Sequence, residues 1–247
     1  MNGKLAKLTP EPKYKLNTIG FFGGAQSSAF LPTDVSGLKC WLKADTGITK
    51  DGSDLVSNWA DQSGNSNDVA QPTATNQPLW VDSVQNGLPI IRFDGVDNFM
   101  WRNTFTSGTL TAPNTIFVVC KFISIADKYI FDSHDVSNRN YYSSKVTTNN
   151  HVMGAGSELT VGGEDTTNIL LYSLFYNGAS TVLRRSKSTI LSGTLTNADM
   201  GGINLATSFN DLNFGNPDIA EMLIYNKALS DSERDEVETY LTDKWAV

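Results

Sequence analysis

The stretch Ile219-Ala220-Glu221-Met222-Leu223-Ile224-Tyr225-Asn226-Lys227-Ala228-Leu229-Ser230-Asp231 joins an apolar strand to a capped helix through a short turn. Its apolar part predicts a strand over 219–225, and residues 230–245 predict a helix. Ser230 and Glu233 have the S-x-x-E spacing of a capping box, in which the two side chains satisfy free amides at the start of the helix. An apolar stripe suited to packing on a sheet recurs along the helix, formed by Val237, Tyr240, Leu241 and Trp245.

The predicted helix also contains the pattern E-x-D-x-x-E, which resembles the catalytic signature of one group of sandwich-fold glucanases. That chemistry needs two carboxylates that face each other across a cleft. On a helix each residue turns by about 100°, so Glu233 and Asp235 point to nearly opposite sides. The pattern therefore predicts a solvated face, with Glu238 at an ordinary surface position, and no catalytic residue.

The composition limits the classes of function. Of the 247 residues 18% are charged, and the formal net charge is -7, which argues against a nucleic-acid-binding protein. No apolar run approaches the roughly 20 residues that a membrane-spanning helix needs. The N-terminal lysines are not followed by the apolar segment of a secretory signal, so we expect synthesis in a cytoplasm.

The two cysteines, Cys40 and Cys120, both fall inside apolar strand patterns. This placement predicts buried free thiols, with a disulfide between the two as the alternative. His134 and His151 are the two histidines, and neither has a cysteine or a second histidine at metal-ligand spacing. No zinc site is therefore predicted.

Residues 1–33 differ in composition from the rest of the chain and predict an N-terminal arm. The arm contains Phe21, Phe22 and Phe30, and clustered exposed aromatic residues usually mark an interaction surface. We therefore expect these three residues to dock the protein on a partner. The alternative is a flexible tail without a binding role.

From residue 34 onward, short strand patterns separated by turn residues dominate the chain. Many short strands with X-Gly turn pairs are typical of a sandwich or a barrel. The turn pairs begin at Ser63, Asn86, Asp94 and Asn177. The clearest predicted strands are 38–44, 89–93, 115–122, 128–132, 169–176, 181–185 and 219–225.

Four segments together resemble the laminin-G-like, or concanavalin A-like, jelly-roll family. They are the strand-to-helix unit described above and the stretches at 37–45 (GLKCWLKAD), 56–68 (VSNWADQSGNSND) and 86–95 (NGLPIIRFDG). The resemblance implies an all-β, two-sheet antiparallel jelly-roll sandwich over residues 34–247, with one C-terminal α-helix. It does not settle function, because lectins, glycosidases and assembly modules share this fold.

Some members of this family carry calcium at the rim of the sandwich, and calcium prefers carboxylate and carbonyl oxygens in loops. The candidate ligands here are Asp61, Asp68 and Asp94. The alternative is that Asp61 belongs to a tight turn held by hydrogen bonds from its own side chain. No other cofactor is expected.

The first function that the resemblance suggests is a structural protein of a bacteriophage virion, a head-decoration or fibre component. Its arm would dock on other virion proteins, and assembly would take place in the host cytoplasm. The resemblance and the missing secretion signal support this hypothesis. The sequence leaves open whether the protein forms a homo-oligomer.

The alternative function is a carbohydrate-binding module or adhesin that recognises a cell-surface glycan. Five aromatic residues could stack on sugars, and packing in the core or at the rim is the competing explanation for each of them. They are Trp59, Trp80, Trp101, Tyr141 and Tyr142. A glycoside hydrolase is the third hypothesis, but no carboxylate pair falls on the predicted strands, so a non-enzymatic protein is expected.

Overall fold

The computed structural model describes residues 29–124, 128–145, 150–163, 165–196 and 199–247. Within them the chain is mostly β, with two antiparallel sheets and one C-terminal α-helix, as the sequence predicts. None of the helices in this part of the chain is long and apolar enough to cross a bilayer. The strands are numbered below in chain order.

Sheet A contains six of the seven strands that the sequence predicts most clearly. Its order is β15-β14-β13-β8-β17-β6-β5, and β1 pairs with β17 beside β6. The bounds are β1 Leu38–Lys43, β5 Leu79–Gln85, β6 Leu88–Arg92, β8 Asn114–Phe122, β13 Leu170–Tyr176, β14 Thr181–Arg185, β15 Ser188–Gly193 and β17 Pro217–Tyr225.

Sheet B packs against sheet A, and its strands are shorter and more polar. Its order is β12-β11-β10-β9-β16-β7-β4-β3-β2. The bounds are β2 Ile48–Lys50, β3 Val56–Trp59, β4 Val69–Ala70, β7 Met100–Arg102, β9 Tyr129–Asp132, β10 Tyr141–Lys145, β11 Asn150–Gly154, β12 Glu158–Gly162 and β16 Ile203–Leu205. Short 3₁₀ turns occur at Pro32–Asp34, Ala74–Asn76 and Gly178–Ser180.

The main core lies between the two sheets. It includes Cys40 and Cys120, which are both buried and not joined by a disulfide, as the sequence predicts. The turn between β5 and β6 uses Asn86 and Gly87, both with positive φ (50° and 72°), and so forms the tight hairpin that this dipeptide favours. The predicted turn pair thus joins two neighbouring strands of sheet A.

Helix α1 (Asp231–Trp245) covers the outer face of sheet A and creates a second apolar layer. The predicted capping box is present, because the Ser230 hydroxyl accepts from the Glu233 amide and the Glu233 carboxylate accepts from the Ser230 amide. Val237, Leu241 and Trp245 are fully buried against the sheet. Sheet A is consequently covered on both faces, whereas no helix in the described part of the chain covers the outer face of sheet B.

Glu221 of β17 is buried beneath the C-terminal end of α1. One carboxylate oxygen accepts from Trp41 Nε1 at 2.6 Å and from the Tyr240 hydroxyl at 3.1 Å. The other accepts from Trp245 Nε1 at 2.8 Å and from Lys244 Nζ at 2.6 Å. The Glu221 side chain therefore links strand β1 and helix α1 to strand β17 of sheet A.

Glu238 is also fully buried, so the prediction of an ordinary surface position is wrong. Its carboxylate accepts from the Ser173 hydroxyl at 2.8 Å, and Arg184 Nε lies 3.0 Å from Oε1. The prediction failed because Ser173 lies on the outer face of sheet A and faces the helix. The buried face of α1 is thus wider than its apolar stripe.

We expect Glu238→Gln to lower the free energy of unfolding by about 1.5–3 kcal/mol, the usual contribution of a hydrogen bond to a charged group. The substitution keeps the shape of the side chain but removes the charge that faces Arg184. Urea denaturation measures the change. Glu236→Gln on the exposed face of the same helix is the matched control and should change stability by no more than about 0.5 kcal/mol. Equal effects of the two substitutions would contradict the buried ion pair.

The N-terminal end of the described chain packs on the domain. Phe30, predicted to belong to the docking arm, is half-buried, and its ring centroid lies 6.4 Å from that of Tyr240. Pro32 is buried, and its carbonyl accepts from the Tyr225 hydroxyl at 2.9 Å. The packed domain therefore includes Phe30, four residues before the predicted boundary. Phe21 and Phe22 lie outside the described residues, so docking of the arm on virion proteins stays a prediction.

His151 lies between the sheets among aromatic rings, with Nδ1 2.7 Å from the Tyr142 hydroxyl. Burial, reinforced by the positive charge of Arg185, lowers the pKa of His151 to about 4. The unfolded chain, whose histidines have a pKa of about 6.5, binds the proton first as the pH falls. The neutral His151 ring therefore contributes fully to the stability of the folded protein above pH 6.5, and this contribution is lost as the pH falls towards 4.

We expect the free energy of unfolding to fall by up to about 3 kcal/mol between pH 7 and pH 4, because His151 takes up a proton when the chain unfolds. Urea denaturation at several pH values measures the slope. His151→Gln should have the flatter profile, whereas His134→Gln, which removes the other histidine, should keep the slope of the wild-type protein. Parallel profiles for all three proteins would mean that His151 does not cause the pH dependence.

Candidate functional site

The outer face of sheet B carries a row of residues that crosses four neighbouring strands. Glu158 of β12 lies opposite Gly154 of β11, and Gly154 lies opposite Tyr141 of β10. Tyr141 in turn lies opposite Asp132 of β9. Residues directly opposite each other in antiparallel strands lie on the same face of the sheet. The row therefore places two carboxylates and one phenol on one face.

Tyr141 lies across Gly154 and contacts Glu158. A Cβ atom at Gly154 would lie 2.0 Å from Cζ of Tyr141, so the ring occupies the space that a larger residue would need. The Tyr141 hydroxyl donates to Glu158 Oε1 at 2.5 Å, and Lys145 Nζ donates to Oε2 at 3.3 Å. These bonds from Tyr141 and Lys145 lower the pKa of Glu158. Burial and the Glu158 carboxylate raise the pKa of Tyr141, so its phenol stays a hydrogen-bond donor.

Arg139 lies above the same row. Its guanidinium pairs with Asp132, with Nη2 2.6 Å from Oδ2, and lies 4.3 Å from the ring centroid of Tyr141. On its other sides it lies 4.7 Å from the ring centroid of Phe209, and Nη2 donates to the Tyr129 hydroxyl at 3.0 Å. Burial raises the pKa of Asp132 to about 6, against the opposing effect of Arg139. The guanidinium is thus held in place from three directions.

Two small pockets open beside Glu158, which lines both. One has a volume of about 300 Å³ and is bounded by Tyr129, Ser143, Lys145 and Asn213, among others. The second, of about 270 Å³, is bounded by Arg139, Tyr141, Val136 and Ser157, among others. Their sizes are near the lower limit for small-molecule sites.

The two pockets combine hydrogen-bonding groups of both kinds with aromatic surface. Glu158 supplies acceptors, Lys145 supplies donors, and the Ser143 hydroxyl and the Asn213 amide can do either. Glu158 and Lys145 each keep nearly half of the side chain exposed (47%), so they can reach a ligand without a conformational change. Such a lining suits a small ligand that carries many hydroxyl groups.

The sugar-stacking candidates predicted from the sequence divide into three groups. Trp59 and Tyr142 are fully buried between the sheets and cannot stack on a ligand, so those two predictions are corrected. Trp59 on β3 and Tyr142 on β10 both point inward, into the core between the two sheets. Trp80 lies on β5 in the other sheet, where Nε1 donates to the Ala44 carbonyl at 3.0 Å. Of the five, Trp101 and Tyr141 share the outer face of sheet B, where Tyr141 is only 6% exposed and its ring lies against the Arg139 guanidinium.

Trp101 belongs to the same cross-strand row as Tyr141, further along the sheet. It lies opposite Asn204 of β16, which lies opposite Asp132. The half-exposed indole stacks on the ring of His134, with centroids 5.9 Å apart, and His134 Nδ1 lies 2.8 Å from Asn204 Oδ1. Trp101 therefore stays a candidate for an additional contact on this face.

The carboxylates of the aspartates proposed as calcium ligands accept hydrogen bonds from backbone amides. The Asp61 carboxylate accepts from the amides of Trp41, Ser63 and Asn67, which is the alternative that the sequence left open. Asp68 accepts from the Asp61 amide, and Asp94 accepts from three amides of its own turn. Among the described residues, no three His, Cys, Asp or Glu side chains form a group that could hold a metal.

The sequence did not identify Tyr129, Arg139, Lys145 or Glu158. The alternation in Tyr141–Lys145 and Glu158–Gly162 is a weak strand signal, because both strands are short and mostly polar. An arginine two residues before an adjacent tyrosine pair was the one local clue to an aromatic and cationic site.

No family model matches the chain, and no curated protein matches its sequence. Solved structures do resemble its fold. The Trypanosoma rangeli sialidase in complex with sialic acid has 12% identity and a TM-score of 0.57 over 85% of this chain and 33% of that chain. The binding domain of Paraclostridial Mosquitocidal Protein 1 has 16% identity and a TM-score of 0.61 over 86% and 54%, respectively.

An arabinofuranosidase complexed with arabinofuranosyl-alpha-1,2-xylobiose has 13% identity and a TM-score of 0.60, over 85% of this chain and 60% of that chain. The chain thus spans between 33% and 60% of the length of these three proteins. The expectation of a non-enzymatic protein is wrong as an inference from the fold, because the similar structures include a sialidase and arabinofuranosidases. Identities this low show a shared fold alone.

Proposed function

We propose that the chain is a carbohydrate-binding β-sandwich of the jelly-roll, concanavalin A-like type that the laminin-G-like resemblance implies. Its binding site comprises the two pockets on either side of Glu158, on the outer face of sheet B. The observation that carries the proposal is the exposed pair of Glu158 and Lys145 beside the hydroxyl of the largely buried Tyr141. Small-ligand sites typically combine apolar or aromatic walls with a few polar groups that fix the ligand's orientation.

The names of the similar structures support the same class of ligand. One of those proteins is in complex with sialic acid and another with an arabinofuranosyl-xylobiose. Neither name locates a sugar on the part that resembles this chain. These two sugars are accordingly the first probes, beside a broad glycan array.

We expect Glu158→Gln and Tyr141→Phe each to weaken glycan binding by about tenfold or more. Glu158→Gln removes the charged acceptor of a hydrogen bond of roughly 1.5–3 kcal/mol, and Tyr141→Phe removes the hydroxyl that holds this acceptor in place. Titration of the full chain, followed by calorimetry or nuclear magnetic resonance, measures the affinities. Asp82→Asn, an exposed carboxylate on β5 of sheet A, is the matched control and should bind like the wild type. Unchanged binding in both site variants would place the glycan elsewhere.

Glycoside hydrolysis is the second candidate, because Asp132 and Glu158 lie on one sheet face. Three strand spacings separate them, about 14 Å between their backbones. The carboxyl groups of glycosidases are about 5–9.5 Å apart, so the side chains would have to converge. This distance favours binding as the first proposal. The release of reducing sugar by the wild type and its loss in Glu158→Gln would establish the second.

A further inference from the structure

A second concave surface lies on the opposite side of the molecule, along the exposed face of α1. It is a groove of about 730 Å³ between this helix and the segment that contains Ala29 and Phe30. The rings of Phe30 and Tyr240 form its apolar part, and Thr239 also lines it. Nothing in the site on sheet B extends to this groove.

The helical wall of the groove is acidic. Asp235, Glu236 and Asp243 line it and are exposed, and the positive charge of Lys244, which also lines it, is paired with Glu221 and Asp45. Asp235 pairs with Arg234 at 3.1 Å, whereas Glu236 and Asp243 have no ion-pair partner among the described residues. The groove therefore offers an apolar surface beside two uncompensated carboxylates.

The segment that precedes the groove has the opposite charge. Residues 1–28 contain four lysines and one glutamate, although the whole chain has a formal net charge of -7. The segment also contains the adjacent aromatic residues Phe21 and Phe22. It joins the described chain at Ala29, which is itself part of the groove wall.

We propose that residues 13–28 of the same chain occupy this groove, with Lys13 and Lys15 facing the acidic wall and Phe21 and Phe22 supplying apolar contacts. The reach suffices, because the 14 residues from Lys15 to residue 28 can span up to about 46 Å. The 15-residue helix is only about 22 Å long. Attachment at the edge of the groove gives the segment a high effective concentration there.

Hydrogen exchange of the full chain, read by mass spectrometry over residues 13–28, tests the proposal. We expect amide exchange about tenfold or more slower than in an unstructured peptide, and loss of this protection in E236K/D243K. D82K/D97K makes the same change in charge outside the groove and should keep the protection. Combining K13E/K15E with E236K/D243K should restore it, because the charges are exchanged.

Three results would overturn the proposal. The first is exchange of residues 13–28 at the rate of an unstructured peptide in the wild type. The second is protection that E236K/D243K leaves unchanged. The third is protection that rises with protein concentration, which would mean that the groove takes the arm of a second copy.

Discussion

Replacing Glu221 with alanine is expected to lower the free energy of unfolding by about 3–5 kcal/mol, the usual cost of breaking a buried ion pair by removing one partner. The carboxylate accepts hydrogen bonds from Trp41, Tyr240, Lys244 and Trp245. Without it, two buried indole N–H groups lose their acceptor, and the Lys244 ammonium loses its nearer carboxylate. A loss of this size is a large part of the free energy of unfolding of a typical domain.

Chemical denaturation at neutral pH measures this effect. Asp82→Ala, which removes an exposed carboxylate, is the control and should stay within about 0.5 kcal/mol of the wild type. Glu221→Gln should fall between the two, since the amide oxygen still accepts while its NH₂ group faces other donors. A loss below about 1 kcal/mol in Glu221→Ala, the range of an exposed pair, would contradict the buried network.

Gly154→Ala is expected to weaken glycan binding by at least about 30-fold, which corresponds to the 2 kcal/mol or more of an aromatic hot spot. The new Cβ would lie 2.0 Å from Cζ of Tyr141 and would force the ring away from Glu158. The pocket bounded by Tyr141 would then lose that wall, and Glu158, which lines both pockets, would lose the hydrogen bond from the Tyr141 hydroxyl. Because the clash is with the far end of one side chain, the sheet itself should remain folded.

Gly162→Ala is a closely matched control. Gly162 lies on the neighbouring strand β12, and a Cβ there would approach only Asn150 Oδ1, at 3.3 Å. Glycan titration of both variants, with circular dichroism to verify the fold, makes the comparison. Full affinity in Gly154→Ala would mean that the position of Tyr141 does not matter for the ligand, and would remove the main support for the site.

Local sequence patterns were sufficient to predict six of the eight strands of sheet A and the helix. Six of the seven clearest predicted strands belong to sheet A, and only the one at Tyr129–Asp132 belongs to sheet B. Sheet A is covered by sheet B on one face and by α1 on the other, so its central strands are apolar runs. The strands of sheet B are short and have a polar outer face, which leaves a weak pattern in the sequence.

The buried glutamates could not be predicted in the same way. Glu221 meets the indole of Trp41 from 180 positions away in the chain, and Glu238 meets Arg184 from 54 positions away. A carboxylate on a helix or strand looks the same in sequence whether it faces water or a distant donor. Only packing decides which of these side chains is desolvated and paired.

The amino-acid sequence alone was enough to predict a mostly β protein with a capped C-terminal helix, because hydrophobic period and capping depend on residues a few positions apart. The candidate site required the tertiary structure. Asp132, Tyr141 and Glu158 come from three strands, and strand register alone places them in one row. Register depends on pairing between distant segments, and a shift by one residue would turn each of these side chains to the other face of the sheet.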